Sequence, residues 1–164
     1  MRNCLKRNPR KLNETDQLQF VETEKLELVR WKYIYITLFL HLDETKNDDF
    51  DLEKFNIEME RRYTETRKEI NNNKLFSYDI CWENYSEHYQ FTFMMARKRT
   101  TFAIEYFNSN NRIYDHANFI MWLSMFFNKE KSILLCDENY EDTLILSSDI
   151  SIEQLEKWLQ KSGI

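Results

Sequence analysis

Apolar residues recur with period two along Trp31–Leu42, WKYIYITLFLHL. Ile34, Ile36, Leu38, Leu40 and Leu42 share one parity, while Tyr33, Tyr35, Thr37, Phe39 and His41 share the other. Alternation of β-branched and aromatic residues predicts a strand with one aliphatic face and one mixed aromatic and polar face. Such a strand belongs near the centre of an antiparallel sheet. The run is roughly twelve residues with Lys32, His41 and Asp43 at its ends, too short to span a bilayer as a helix. The same alternation returns in Leu75–Glu83, in Tyr89–Met95 and in Thr100–Phe107. Phe76, Tyr78, Ile80, Trp82, Tyr89, Phe91, Phe93, Met95, Phe102, Ile104 and Tyr106 then form one aromatic inner face. Asn84–His88 and Arg97-Lys98-Arg99 serve as the joining loops of a three-stranded meander. Ser132–Asp137 and Thr143–Ser147 read as a further hairpin around Asn139–Tyr140. Leu18–Val29 fits either a strand or a helix face.

The period changes to three and four over Asp51–Ile70, where Leu52, Phe55, Met59, Tyr63, Thr66 and Ile70 align on one face of a predicted helix. Acids crowd its start and Arg67 and Lys68 its end, the signs that the helix dipole favours. A second helix, capped by Asp115 or Asn118, contains Phe119, Ile120, Trp122, Leu123, Phe126 and Phe127, with Met121 and Met125 filling the rest of its circumference. The last helix has the fullest terminus signature. Ser151 is its N-cap, Gln154 closes a capping box, Ile150 and Leu155 form a hydrophobic staple, and Gly163 stands at C′. These elements predict an α+β fold: a single domain over 17–164, mainly an antiparallel sheet of five to seven strands with about three packed helices. Residues 1–16 are expected to form a mobile basic arm.

Composition narrows the chemistry. The chain of 164 residues holds one glycine, Gly163, and one proline, Pro9. Without interior glycine there is no P-loop, dinucleotide fingerprint or G-x-S-x-G elbow. Turns are expected to rely on Asn and Asp, which tolerate a left-handed backbone best among non-glycine residues. Cys4, Cys81 and Cys136 are odd in number and form no C-x-x-C pair, which argues against a zinc or disulfide framework and suits a reducing cytoplasm. No apolar segment follows the N-terminal bases, so no secretory signal is expected.

Net charge is −5, unevenly spread. Residues 1–13 carry five bases and no acid, leaving 18 bases against 28 acids in the remainder, a net of −10. An acidic body disfavours direct nucleic-acid binding, which draws its affinity from cations on phosphate. It suits a basic protein partner. No H-E-x-x-H or calcium-loop pattern is present, and no cofactor or metal is expected. His41, His88 and His116 are isolated in sequence, and Cys81 and Cys136 sit on strands where cysteine is ordinarily a small apolar residue. Asp79, Glu83 and Glu105 could gather as metal ligands for a nuclease, but solvated strand positions are the simpler account.

Two acidic stretches stand out. Asp137-Glu138-Asn139-Tyr140-Glu141-Asp142 places four carboxylates around one tyrosine at a predicted hairpin tip. Asp43, Glu44, Asp48, Asp49 and Asp51 crowd the loop after the central strand. Each is explained by an ordinary solvated turn. Each is also suited to a protein contact, with tyrosine as amphipathic area and carboxylates matched to Arg or Lys. The expectation is therefore a small acidic binding protein, monomer or homodimer, that neutralises a basic partner. An immunity protein or antitoxin facing a nuclease-type toxin has this chemistry, as does a phage-type inhibitor of a host nucleic-acid-binding complex. A hydrolase built from scattered His and carboxylates is the enzymatic alternative; no membrane role is expected.

Overall fold

The chain runs β1 (Leu38–Leu42), α1 (Leu52–Arg62), β2 (Arg67–Ile70), β3 (Tyr78–Tyr85), β4 (Tyr89–Ala96), β5 (Thr101–Ser109), α2 (Arg112–Ser124), β6 (Ile133–Asp137), β7 (Thr143–Leu146) and α3 (Ile152–Lys161). The structure, a computed structural model, describes residues 36–128 and 130–164. The readings of 1–16, of Leu18–Val29 and of the first residues of the Trp31–Leu42 run lie outside these. Seven strands form one antiparallel sheet in the order β2-β3-β4-β5-β1-β6-β7. With the three helices found among the described residues this is an α+β domain.

β1 is an interior strand, as its alternation predicts. It pairs with β5 through Leu38 opposite Ile104 and Leu40 opposite Phe102, and with β6 through Leu40 opposite Leu135. Leu38, Leu40 and Leu42 point into the core, whereas Phe39 and His41 are half-buried on the other face. The inner face is continued by Ile80, Trp82, Phe91, Phe93, Met95, Phe102 and Ile104, all buried. The helices supply its cover. Phe55 of α1 stands edge-on to Trp82 at 5.1 Å, and Phe119 of α2 lies against Phe91 at 5.1 Å. Aromatic pairs of this kind add about 0.5–1.5 kcal/mol each beyond area burial. Leu155, Trp158 and Leu159 of α3 join the same core.

The structure departs from the sequence pattern in four places. The helix expected over Asp51–Ile70 stops at Arg62, with Tyr63 as C-cap, and the chain then forms edge strand β2. Glu65 takes a left-handed φ of 69°, and Asn84 of β3 donates to Thr64 O (2.7 Å) and Thr66 Oγ1 (3.0 Å), so the turn is held by a distant strand. Ile70 keeps the helical spacing by coincidence and is exposed. Second, a bulge in the β4–β5 ladder changes the pairing from Thr92 opposite Tyr106 to Phe93 opposite Ile104. The extra residue turns Tyr106 out of the expected inner face and brings Phe107 in, where it is buried. A register shift between Tyr78 and Ile80 likewise removes Tyr78 from that face, and the strand starts too late to include Leu75 and Phe76, which are exposed. Third, the N-cap of α2 is Asn111 rather than Asp115 or Asn118. Asp115 instead accepts from Ser109 Oγ at 2.6 Å, tying the first turn to the end of β5.

Fourth, the turns use asparagine differently. Among the described residues the left-handed non-glycine positions are Glu65, Arg99 and Tyr140. Asn71, Asn73, Asn84 and Asn128 act through their side chains, each accepting from a backbone N–H two residues on, at 2.9 to 3.0 Å. This is the Asx-turn role of asparagine. Arg99 does more than join strands β4 and β5. Its guanidinium grips the buried Asp79 carboxylate bidentately, Nη2 to Oδ2 at 3.0 Å, with Arg97 a further 3.5 Å away. Asp79 is thus an internal ion-pair partner for the β4–β5 turn, not an exposed strand position. The final helix matches its signature: Ser151 and Gln154 form the reciprocal capping box, and Gly163 takes φ 80°.

Leu38→Ala removes a fully buried branch from an interior strand and is expected to cost about 2–5 kcal/mol; the urea midpoint measures it. Arg99→Ala leaves Asp79 with only the longer Arg97 contact and should cost about 1.5–3 kcal/mol, as for a charge-assisted hydrogen bond.

Candidate functional site

On the outer face of the sheet a predicted acidic stretch meets an ordered aromatic cluster. Phe39 and His41, two apart on β1, point to that face, and β1 pairs with β6, which leads directly into the Asp137–Asp142 turn. The turn returns Tyr140 over the strand. Phe39, His41 and Tyr140 stack mutually, with centroids 5.6 to 6.3 Å apart and ring planes within 18° of parallel. His41 Nδ1 lies 2.9 Å from Thr101 Oγ1, and Nε2 lies 3.3 Å from Tyr140 Oη. The tautomer that donates from Nδ1 to Thr101 leaves Nε2 to accept the phenol proton. Burial lowers the His41 pKa, which holds the ring neutral at pH 7.

The turn itself is built by Asp137. Its carboxylate is buried and accepts from Glu141 N at 3.0 Å, while its carbonyl accepts from Tyr140 N at 3.2 Å. Tyr140 adopts φ 58° and remains 56% exposed. Asp142 is paired with Lys161 of α3 at 2.6 Å. Glu138 and Glu141 are exposed, and no ion pair engages them among the described residues. The structure thus sorts the six-residue tip into two structural carboxylates, Asp137 and Asp142, and a projecting set, Glu138, Tyr140 and Glu141.

The second acidic stretch divides similarly. Asp43 borders a hollow on the outer face together with His41, Leu134 and Ile145. His41 therefore contacts the tip through Tyr140 and shares a hollow with Asp43 at the start of the loop, which sequence spacing alone does not bring together. Glu44 pairs with Lys131 at 2.8 Å, and Asp48 with Lys46 at 2.7 Å. Asp49 is exposed, and Asp51 caps α1 by accepting from Lys54 N at 2.9 Å. Phe39, His41 and Thr101 were absent from the expected contact set. The signal for the first two was their place on the half-covered parity of the central strand; Thr101 had none.

The remaining candidates for catalysis are separated from one another or held inert. Burial pushes the Cys81 and Cys136 thiols up to about 11, away from the reactive thiolate. His88 is exposed in the β3–β4 turn. His116 is buried, stacked on Phe107 at 4.7 Å, with both ring nitrogens unpartnered among the described residues. Desolvation, with Arg112 beside it, lowers its pKa to about 3. Glu83 lies opposite Arg67 in the β2–β3 ladder and Glu105 projects from the bulge, so neither converges with Asp79. Among the described residues no group of three or more His, Cys, Asp or Glu side chains is arranged to hold a metal ion, and no helix is long and apolar enough to cross a membrane. Comparison with protein-family models, with curated proteins and with solved structures finds no match.

His116 gives the domain an acid-sensitive term. Its folded pKa lies below the unfolded value of 6.5, so only the unfolded chain takes up the proton as pH falls below 6.5. Stability should then drop by about 1.4 kcal/mol per pH unit toward pH 5. Urea midpoints measured between pH 7 and 5 should decline in the natural chain and flatten in His116→Phe.

Proposed function

We propose that this chain is a small acidic binding protein whose outer-face cluster docks a basic protein partner and blocks it. One observation carries the reading: Tyr140, held by the Phe39–His41 stack, projects half-exposed between Glu138 and Glu141, with Asp43 across His41. A pre-positioned aromatic rimmed by carboxylates is a suitable anchor for an Arg- or Lys-rich surface. Pre-positioning matters because an anchor already ordered loses little side-chain freedom on binding. The net −10 of residues 14–164 supplies long-range attraction to the same kind of partner.

Within that class, the reading favoured by charge is an immunity protein or antitoxin for a nuclease-type toxin in the cytoplasm. A nuclease needs a cationic cleft for phosphate, and an acidic aromatic tip can occupy such a cleft. An inhibitor of a host nucleic-acid-binding complex follows the same physics. The short Tyr140–His41–Thr101 chain also has the parts of an acid–base relay, and this favours the hydrolase reading as the second one.

The test begins with affinity purification from the native cell and mass identification of the partner. Glu138→Gln with Glu141→Gln should slow association and weaken its salt dependence, since steering is screened over roughly 8 Å at physiological salt. Tyr140→Ala should act on dissociation instead, raising its rate by about tenfold or more, as expected for a hot-spot aromatic. Unchanged rates in both variants, or a turnover abolished by His41→Gln with folding retained, would displace the inhibitor reading.

A further inference from the structure

A cleft of about 260 Å³ lies between the end of α2 and the far ends of β6 and β7, and its charge is opposite to that of the body. Its apolar wall includes Met121 and Trp122 of α2, Ile133 at the start of β6 and Ile150 before α3. Arg62 and Lys131 stand at its rim, and none of the described residues lining it is acidic. In a chain with 28 acids, a hollow lined by two cations and by no acidic residue is a local reversal, with the Glu44 carboxylate outside it against Lys131.

The two cations are not equivalent. Lys131 is committed to Glu44 at 2.8 Å. Arg62 ends α1, and its guanidinium carbon lies 5.6 Å from the Tyr63 ring centroid and 5.8 Å from that of Trp122. It has no ion-pair partner among the described residues. A guanidinium over an aromatic face is fixed in place; the Tyr63 hydroxyl takes one of its N–H groups, and the others stay available to an acceptor. The cleft therefore presents an ordered two-pronged donor at the edge of an apolar hollow that is also lined by Ser147 and by Ser148, whose hydroxyl donates to Asp149 at 3.2 Å.

We propose that this cleft binds a small aromatic carboxylic acid, its ring against Trp122 and Met121 and its carboxylate on Arg62. Arginine and a carboxylate form paired, charge-assisted hydrogen bonds, which are stronger than neutral ones. The ring replaces water on the apolar wall. The volume lies below the range of about 300–1,000 Å³ usual for drug-sized ligands, which selects a one-ring or fused two-ring acid over a lipid chain or a nucleotide. Chemistry and place are separate from the acidic tip, so this site stands or falls independently of the partner-binding reading.

Calorimetric titration of the full chain with 3-phenylpropionate and indole-3-propionate tests it. One saturable site is expected. Arg62→Gln should weaken binding by at least about tenfold, and Arg62→Lys should recover part of the loss. Lys131→Gln should matter less, because Glu44 already occupies that cation. The neutral 3-phenylpropionamide should bind the unaltered chain at least about tenfold more weakly than its acid, a comparison that needs no variant to fold. Absence of saturation at millimolar acid, or equal binding of acid and amide, overturns the proposal. So does full affinity in Arg62→Gln.

Discussion

The seating of α1 and α2 on β3, β4 and β5 centres on the ring of Phe55. From the first turns of α1 it touches Phe50, Trp82, Phe93, Phe102, Trp122 and Phe126, with centroids between 4.8 and 6.3 Å. These partners come from the preceding loop, three strands and α2 with the turn that follows it, so one side chain ties α1 and α2 to the sheet. Edge-to-face and tilted contacts set angles as well as distances, because the ring quadrupole disfavours a face-to-face sandwich. A core of aliphatic residues could be slippery at this interface. An aromatic one allows few docked positions for α1, and that places Arg62 over Trp122 at the end of the same helix.

The outer side depends on that arrangement indirectly. Once the aliphatic parity of β1 is committed to the helices, Phe39 and His41 must point away from them. The pairing of β1 with β6 then decides what they meet. Their neighbour is Tyr140, ninety-nine residues after His41 in the sequence. The acidic tip and the acidic loop consequently share one histidine, although nothing in the intervening chain marks them as neighbours.

This division explains what was legible in the chain. Alternation located β1, β3, β4, β5 and the last hairpin because side-chain parity is a local property. The capping box at Ser151 and Gln154 was equally readable, since all its partners lie within four residues. The misread positions are those where a distant group decides. Asn84 holds the turn that ends the helical pattern early, and a bulge against β4 moves Tyr106 to the other face. Asp79 reads as a solvated strand residue until the β4–β5 turn is folded onto it. The site was half legible for the same reason: the tip can be found by composition, but its stack requires the β1–β6 pairing. Asp137 and Asp142 look like surface charge in sequence, yet one builds the turn and the other reaches a helix at the end of the chain.

Tyr140 also sets a limit on how this hairpin can be improved. Its left-handed backbone is a conformation that costs an ordinary residue about 1 kcal/mol and costs glycine almost nothing. Glycine there would relax the turn and erase the ring that rests on His41. A search that rewards thermal endurance alone would therefore drift toward glycine at position 140, and would blunt the projecting surface while making the chain harder to melt. The strained tyrosine sits where the stack on Phe39 and His41 and a restful backbone ask for different residues.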